Sequence, residues 1–279
     1  MAFKNLLVHL DPSKASVKRA DAAIALAARH GAHLTALAAA PAPSLPSYVE
    51  AQIPASILEQ AHQSLEADLA KITDAFTARA AAAGIGYEVR REVTREPLAE
   101  LIARHARYAD LLIMGQSDPD DPLTGAPELA EDVILGGGRP VLMVPYIGAM
   151  QPPGRKVVVA WDAGREAARA VNDAMPMLEA AEQVIVLIVN PKRGPGGHGA
   201  EPGADIATHL ARHGVKVEVK VYTQRDLTVS DVLLARIADE GVDMVVLGGY
   251  GHARLRELVL GGVTRDMLRV MTVPLFMSH

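Results

Sequence analysis

The sequence predicts an α/β protein made of two tandem doubly wound domains, each on a five-stranded parallel sheet. Three observations carry this. Short apolar runs alternate with alanine-rich helical stretches, the pattern of strands covered on both faces. The pattern is duplicated: NLLVHLDPSKASVKRADAAIALA near residue 5 parallels KVVVAWDAGREAARAVNDAMPML near residue 156, with Asp11 and Asp162 aligned at a strand end. Later, ADLLIMG at 109–115 parallels VDMVVLG at 242–248, and RPVLMVPY at 139–146 parallels TVPLFMSH at 272–279. Finally, two prolines and a glycine between Gln151 and Gly154 form a natural linker, which sets the domains at 1–150 and 155–279.

The elements follow in order. A first strand reads from Phe3 to Leu10, and its helix stops at Ala28-Arg29-His30-Gly31, where basic residues in a last turn precede a glycine suited to the left-handed cap. Further strands are expected near 32–40, 86–92, 110–115 and 140–145, with Gly136-Gly137-Gly138 as a helix cap and turn ahead of the last. The second half repeats them near 155–161, 183–189, 215–221, 242–247 and 272–277, with a helix starting near Arg165. Pro191 to Gly203 is too rich in glycine and proline for an element and reads as a mobile loop, from which Lys192, Arg193 or His198 could reach a phosphate. Ala211-Arg212-His213-Gly214 is a second helix stop. A last helix begins at Gly261-Gly262, because Val263, Met267, Leu268 and Val270 recur at helical spacing.

Composition bounds the function classes. With 279 residues and 49% hydrophobic content the chain buries two modest cores, and without cysteine it has no disulfide or thiolate chemistry. The first strand lacks the apolar core and cleavage site of a signal peptide, and Ala20 to Ala40 is broken by Asp21, Arg29, His30 and His33, which excludes a membrane span. A net charge of −5 with 4% aromatics argues against a nucleic-acid surface. The expectation is a cytoplasmic protein with neither membrane nor nucleic acid as partner.

The chemical reading centres on 247–268. The apolar run ending at Leu247 meets Gly248 and Gly249, and Gly251 follows where backbone must pass close to a ligand without a Cβ. Nine residues later, Gly261 and Gly262 sit at a helix N-terminus, whose N–H groups attract an anion. This is not a Walker loop, which needs Lys-Ser or Lys-Thr. Nor is it a Rossmann fingerprint, which follows the first strand of its unit.

Gly248-x-x-Gly251, nine residues, then Gly261 resembles the nucleotide loop of the universal stress protein family, Gly-x-x-Gly, nine residues, then Gly-Ser or Gly-Thr. The likeness covers nearly the whole chain and departs at Gly262, where the hydroxyl residue is expected; Thr264 matches a further residue of that loop. The resemblance implies strand order 3-2-1-4-5, with a ligand crevice at the carboxyl ends of strands one and four. It implies that Asp162 meets the ribose hydroxyls, that Ala160 and Trp161 line an adenine slot, and that the backbone of Val189 meets the adenine edge. Leu247, Gly248, Gly251, His252, Gly261, Gly262, Val263 and Thr264 would then surround the phosphates. Read on residues alone, Asp162 has a lesser alternative as an Asx turn or a cap for the following helix, Trp161 an alternative as core packing and His252 one as a solvated loop histidine; Arg254 and Arg256 form a solvated face.

The first half lacks this set. Aligning Pro140 with Pro274 puts Pro127 and Glu128 opposite Gly261 and Gly262, while Asp118 lies opposite Gly251 in the register of the fourth strands, so only Gly115 survives. A carboxylate repels phosphate and Pro127 removes a donor, so this half is expected to be nucleotide-free. Asp118, Asp120 and Asp121, broken by Pro119 and Pro122, read as turns and not as a metal site.

No Ser-His-Asp set, split carboxylate pair or H-E-x-x-H helix is present. The expected role is a stress-response regulator that binds ATP or AMP in its second domain, with Mg accompanying ATP, and is non-catalytic or at most a slow ATPase. Two rivals stay open. One is a nucleotide-independent interaction or chaperone-like scaffold; the other is an adenylating or pyrophosphatase-type relative, for which Asp162-Ala163-Gly164-Arg165 is a poor phosphate loop. In the resembling family the fifth strands commonly pair antiparallel across a dimer interface. Val141 to Val144 and Val273 to Met277 are such apolar edges, so an internal pseudo-dimer is expected, with a homodimer of tandems compatible.

Overall fold

In the computed structural model, which describes residues 2–42, 52–148, 152–192, 197–224, 226–250 and 262–279, the chain packs as two units, 2–137 and 138–279. The first unit runs β1 (Asn5–Leu10), α1 (Ala15–His30), β2 (His33–Pro41), α2 (Ala55–Ala82), β3 (Tyr87–Thr94), α3 (Leu98–Ala106), β4 (Leu111–Gly115) and α4 (Glu128–Gly137). Its strands are parallel in the order β3-β2-β1-β4. The α1 stop forms as expected: Gly31 is left-handed at φ 59° and closes the helix with Arg29 and His30 in its last turn. The length of α2 is not signalled by a strong apolar stripe. Its C-terminal half buries Leu69, Thr73, Phe76 and Ala80, a 4-3-4 spacing on one face, and Phe76 meets Tyr87 edge to face at 5.9 Å.

The second unit holds β5 (Val141–Val144), β6 (Lys156–Ala160), α5 (Arg165–Leu178), β7 (Gln183–Val189), α6 (Ala204–Arg212), β8 (Val217–Tyr222), α7 (Val229–Glu240), β9 (Met244–Gly248), α8 (Gly262–Val270) and β10 (Leu275–Ser278). The order β8-β7-β6-β9-β10 is the expected 3-2-1-4-5 arrangement, with these strands parallel. Val157, Val158 and Val159 of β6 are all buried, as a parallel strand covered on both faces requires. Helix α7 starts with a reciprocal capping box between Thr228 and Asp231.

The repeats share a strand-start device that the sequence did not advertise. Asp110 accepts the backbone N–H groups of Lys4 and Asn5 at 2.7 and 2.9 Å. Its counterpart Asp243 accepts those of Gly154, Arg155 and Lys156 at 2.9–3.2 Å. Each carboxylate thereby fixes where the first strand of its repeat begins against the fourth.

The ten expected strands all form, with ends shifted by a few residues. The last strands of the two repeats pair antiparallel, Leu275 with Met143, Phe276 with Leu142 and Met277 with Val141. This pairing assigns β5 to the second unit although it belongs to the first repeat in sequence, so the compact units divide ahead of β5 while the repeats themselves meet at the linker. Among the described residues no helix is long and apolar enough to cross a membrane. A fragment of residues 155–279 lacks β5 and leaves the β10 edge open, so it should self-associate. Sedimentation at rising concentration checks this, and a strictly monomeric fragment would contradict it.

Candidate functional site

The chain leaves β6 toward β7 on one side, while β9 adds on the other, so a crevice opens at the carboxyl ends of β6 and β9. Its backbone is unusual. Among the described residues the non-glycine positions with positive φ are Ala163 at 62°, Asn190 at 51° and Tyr250 at 56°. They lie just beyond β6, β7 and β9 respectively, and such conformations cost on the order of 1 kcal/mol or more each. Asn190 offsets part of this cost: its amide donates to the Gln224 carbonyl at 2.7 Å and accepts the Gln224 N–H at 2.9 Å.

Asp162 is exposed, and its Oδ1 accepts the Gly164 N–H at 2.8 Å, an Asx turn leading into α5. The local role read from residue type is therefore present. It occupies one carboxylate oxygen, and Oδ2 has no partner among the described residues. Ala160, Trp161 and Val189 are half-buried at neighbouring strand ends, with the Trp161 N–H bonded to the Leu187 carbonyl at 3.0 Å.

Leu247 is buried and Gly248 follows it. A Cβ on Gly248 would stand 2.5 Å from the Ala167 nitrogen and 2.6 Å from the Glu166 carbonyl carbon. The glycine thus lets the start of α5 approach β9, a packing need independent of any ligand. Gly262 opens α8 exposed, and Val263 is half-buried. Thr264 is buried, and its hydroxyl accepts the Tyr250 N–H at 3.3 Å, which ties together the segments before and after the glycine loop. Gly251, His252, Arg254, Arg256 and Gly261 lie outside the described residues, as does Arg193 of the loop after β7.

Beside the start of α5 an open cavity of about 350 Å³ is lined by Arg165, Glu166, Arg169 and His279, of which only Arg165 was named from sequence, at the end of a poor phosphate loop. Burial alone would raise the Glu166 carboxyl. The hydrogen bond from Arg165 at 2.5 Å, the backbone N–H and the charges of Arg165 and His279 hold it below its usual range instead. His279 Nδ1 donates to the Gly249 carbonyl at 2.9 Å. The aligned position of Glu166 in the first repeat is Ala15, a difference visible on comparing the repeats.

The first unit uses the same positions differently. Asp11 makes the same Asx turn, accepting the Ser13 N–H at 3.0 Å, but it is buried and its Oδ2 accepts from Arg19 Nη2 at 2.6 Å. Burial pushes the Asp11 carboxyl up; the Arg19 and His9 charges and the Ser13 and Arg19 hydrogen bonds outweigh it and bring it below its usual range. His9 is also buried, its Nε2 donating to the Ala39 carbonyl at 3.4 Å. Burial moves its pKa down to about 4, against the opposing Asp11 charge and with the help of Arg19. The surviving glycine, Gly115, faces Arg19: a Cβ there would stand 1.9 Å from Nη1. Asp118 accepts the Asp120 N–H and Asp121 the Leu123 N–H, as turn residues do, and among the described residues no group of acidic, histidine or cysteine side chains forms a metal cluster.

The universal stress protein family profile matches residues 2–145 and again 154–279. The chain belongs to that family. Within it, the fold is similar over 98% of this chain to a universal stress protein from Archaeoglobus fulgidus DSM 4304, covering 95% of that structure with TM-score 0.77 at 16% identity. It is similar over 99% of the chain to a functionally unknown protein from Pseudomonas aeruginosa PAO1, covering 92% of it with TM-score 0.57 at 16% identity. A universal stress protein of Synechocystis sp. is 29% identical over 65 residues, which is 23% of this chain and spans only 22% of that relative's length.

Two outcomes follow for the tandem universal stress protein. Gly248→Ala forces the backbone of α5 away from β9 and should lower stability by about 1–3 kcal/mol, read from urea midpoints. His9 has its folded pKa depressed from 6.5 to about 4, so the unfolded chain binds the extra proton between those values. Its contribution is complete above pH 6.5 and is lost as pH falls toward 4, by about 3 kcal/mol. Comparing wild type with His9→Asn by urea unfolding at pH 7 and pH 4 isolates that loss, because the variant lacks the titrating ring.

Proposed function

We propose that the second repeat binds an adenine nucleotide, ATP or AMP, in the crevice at the ends of β6 and β9, and that the protein acts in the cytoplasm as a nucleotide-responsive stress regulator. The observation that carries the reading is the state of the strand-end aspartates: Asp162 is exposed with Oδ2 unengaged among the described residues, whereas Asp11 is buried and paired. A carboxylate oxygen so placed accepts ribose hydroxyls. Ala160, Trp161 and Val189 are the adenine-side residues of this reading, and Leu247, Gly248, Gly251, His252, Gly261, Gly262, Val263 and Thr264 its phosphate side. The exposed start of α8 supplies N–H groups toward phosphate. Mg would accompany ATP by neutralising its phosphates. The ligand is regulatory in this reading, since among the described residues none is placed as a general base, and hydrolysis is at most slow.

The scaffold alternative has one observation in its favour: Gly262 lacks a hydroxyl and that of Thr264 is buried. Titration of nucleotide-free protein with ATP or AMP, with and without Mg, separates the two. Trp161 is the single tryptophan, so its fluorescence reports on the second repeat. We expect quenching with one site per chain by calorimetry. Asp162→Ala should weaken binding about tenfold, the worth of one or two hydrogen bonds. Gly261→Asp should abolish it by charge repulsion, and Glu128→Gly should create no second site. Two equivalent sites would overturn the assignment to one repeat, and an absence of binding would favour the scaffold.

A further inference from the structure

Aligning the repeats places Asp11 on Asp162, Gly115 on Gly248, Ser16 on Ala167 and Arg19 on Ala170. Ala170 is fully buried and has no reach to a strand end. Arg19, from the second turn of α1, reaches back to the carboxyl ends of β1 and β4. Its Nη2 donates to Asp11 Oδ2 at 2.6 Å and to Ser16 Oγ at 3.2 Å, while Nη1 occupies the notch left by the missing Cβ of Gly115. The side chain is 2% exposed and its Nε–H is buried without an acceptor among the described residues. A buried ion pair with an unmet donor is a poor way to gain stability, because desolvation cancels most of the attraction and an apolar replacement of similar volume is often better. What the arrangement does achieve is to fill the crevice.

We infer that Arg19 is a tethered occupant of the first repeat. Its guanidinium sits in a receptor formed by Asp11, Ser16 and Gly115, and it takes the carboxylate oxygen that the second repeat leaves to an outside ligand. Arg19 is then the residue that closes the first repeat to small molecules. The claim about nucleotide selectivity rests on the function proposed for the second repeat, whereas the guanidinium receptor stands without it. Emptied of its arginine, that receptor fits a small planar cation such as ethylguanidinium.

The test uses the full chain carrying Arg19→Ala, melted with millimolar ethylguanidinium chloride against the same concentration of sodium chloride. The expected result is a lowered melting temperature that ethylguanidinium raises by several degrees, with no such rise in wild type or in the double variant Asp11→Asn, Arg19→Ala. Equal responses of wild type and Arg19→Ala, or a response that survives in the double variant, would overturn the inference. If Arg19→Ala does not fold unaided, refolding is compared with and without the cation: recovery only with it supports the receptor, and failure in both conditions counts against it. ATP quenching of Trp161, followed in the same samples, should be the same in wild type and Arg19→Ala. Its absence from wild type would reject the nucleotide reading and leave the cation result standing.

Discussion

Each repeat leaves out a side chain at the carboxyl end of its fourth strand, and the group admitted to that space determines the rest of the site. At Gly248 the space is taken by the backbone at the start of α5, which brings the helix against β9 and leaves the neighbouring aspartate facing outward. At Gly115 the same space is taken by a guanidinium, and the matching aspartate turns into the protein to meet it. One missing methyl position thus supports an open strand end in one repeat and a sealed one in the other. The tandem arrangement allows this divergence, because either copy can lose a ligand site while still supplying sheet and edge to the chain.

Electrostatics follows from the same difference. The sealed copy concentrates His9, Asp11 and Arg19 in an interior where the imidazole stays neutral over the ordinary pH range, while the carboxylate and the guanidinium pair with each other. The open copy holds its buried charge one turn further on, at Glu166, where Arg165 is exposed and the pair reaches solvent through the adjoining cavity. Because Glu166 is buried, removing Arg165 would leave a buried carboxylate without its cation, a larger loss than that of a surface ion pair.

The strands were legible because parallel strands covered on both faces read as unbroken apolar runs such as Val157–Val159, and the helix stops because Gly31 and Gly214 take the left-handed φ that other residues avoid. The aspartate of the crevice was legible from the alignment of the repeats. Arg19 was not, since a charged residue in an alanine-rich helix reads as part of a solvated face. Only its mismatch with Ala170 hinted that it points inward. Helix α2 was obscured because its first half buries no residue, which leaves little periodicity to read. The glycines themselves carried two meanings that sequence cannot separate: Gly248 is demanded by helix packing whether or not a phosphate ever approaches.

The pairing of β5 with β10 has a consequence in time. The two strands are separated by nearly half the chain, so during synthesis β5 is made long before the strand that covers it. Until then its four positions, all buried in the finished sheet, form an apolar edge that lacks its partner strand. Contacts this distant in sequence form slowly, and partly made chains expose them to one another. The nascent protein therefore passes through a sticky interval that begins when Val144 emerges and ends when Leu275 does. Crowded translation, as on a polysome, is where the cost of building one sheet edge from two distant repeats would be felt.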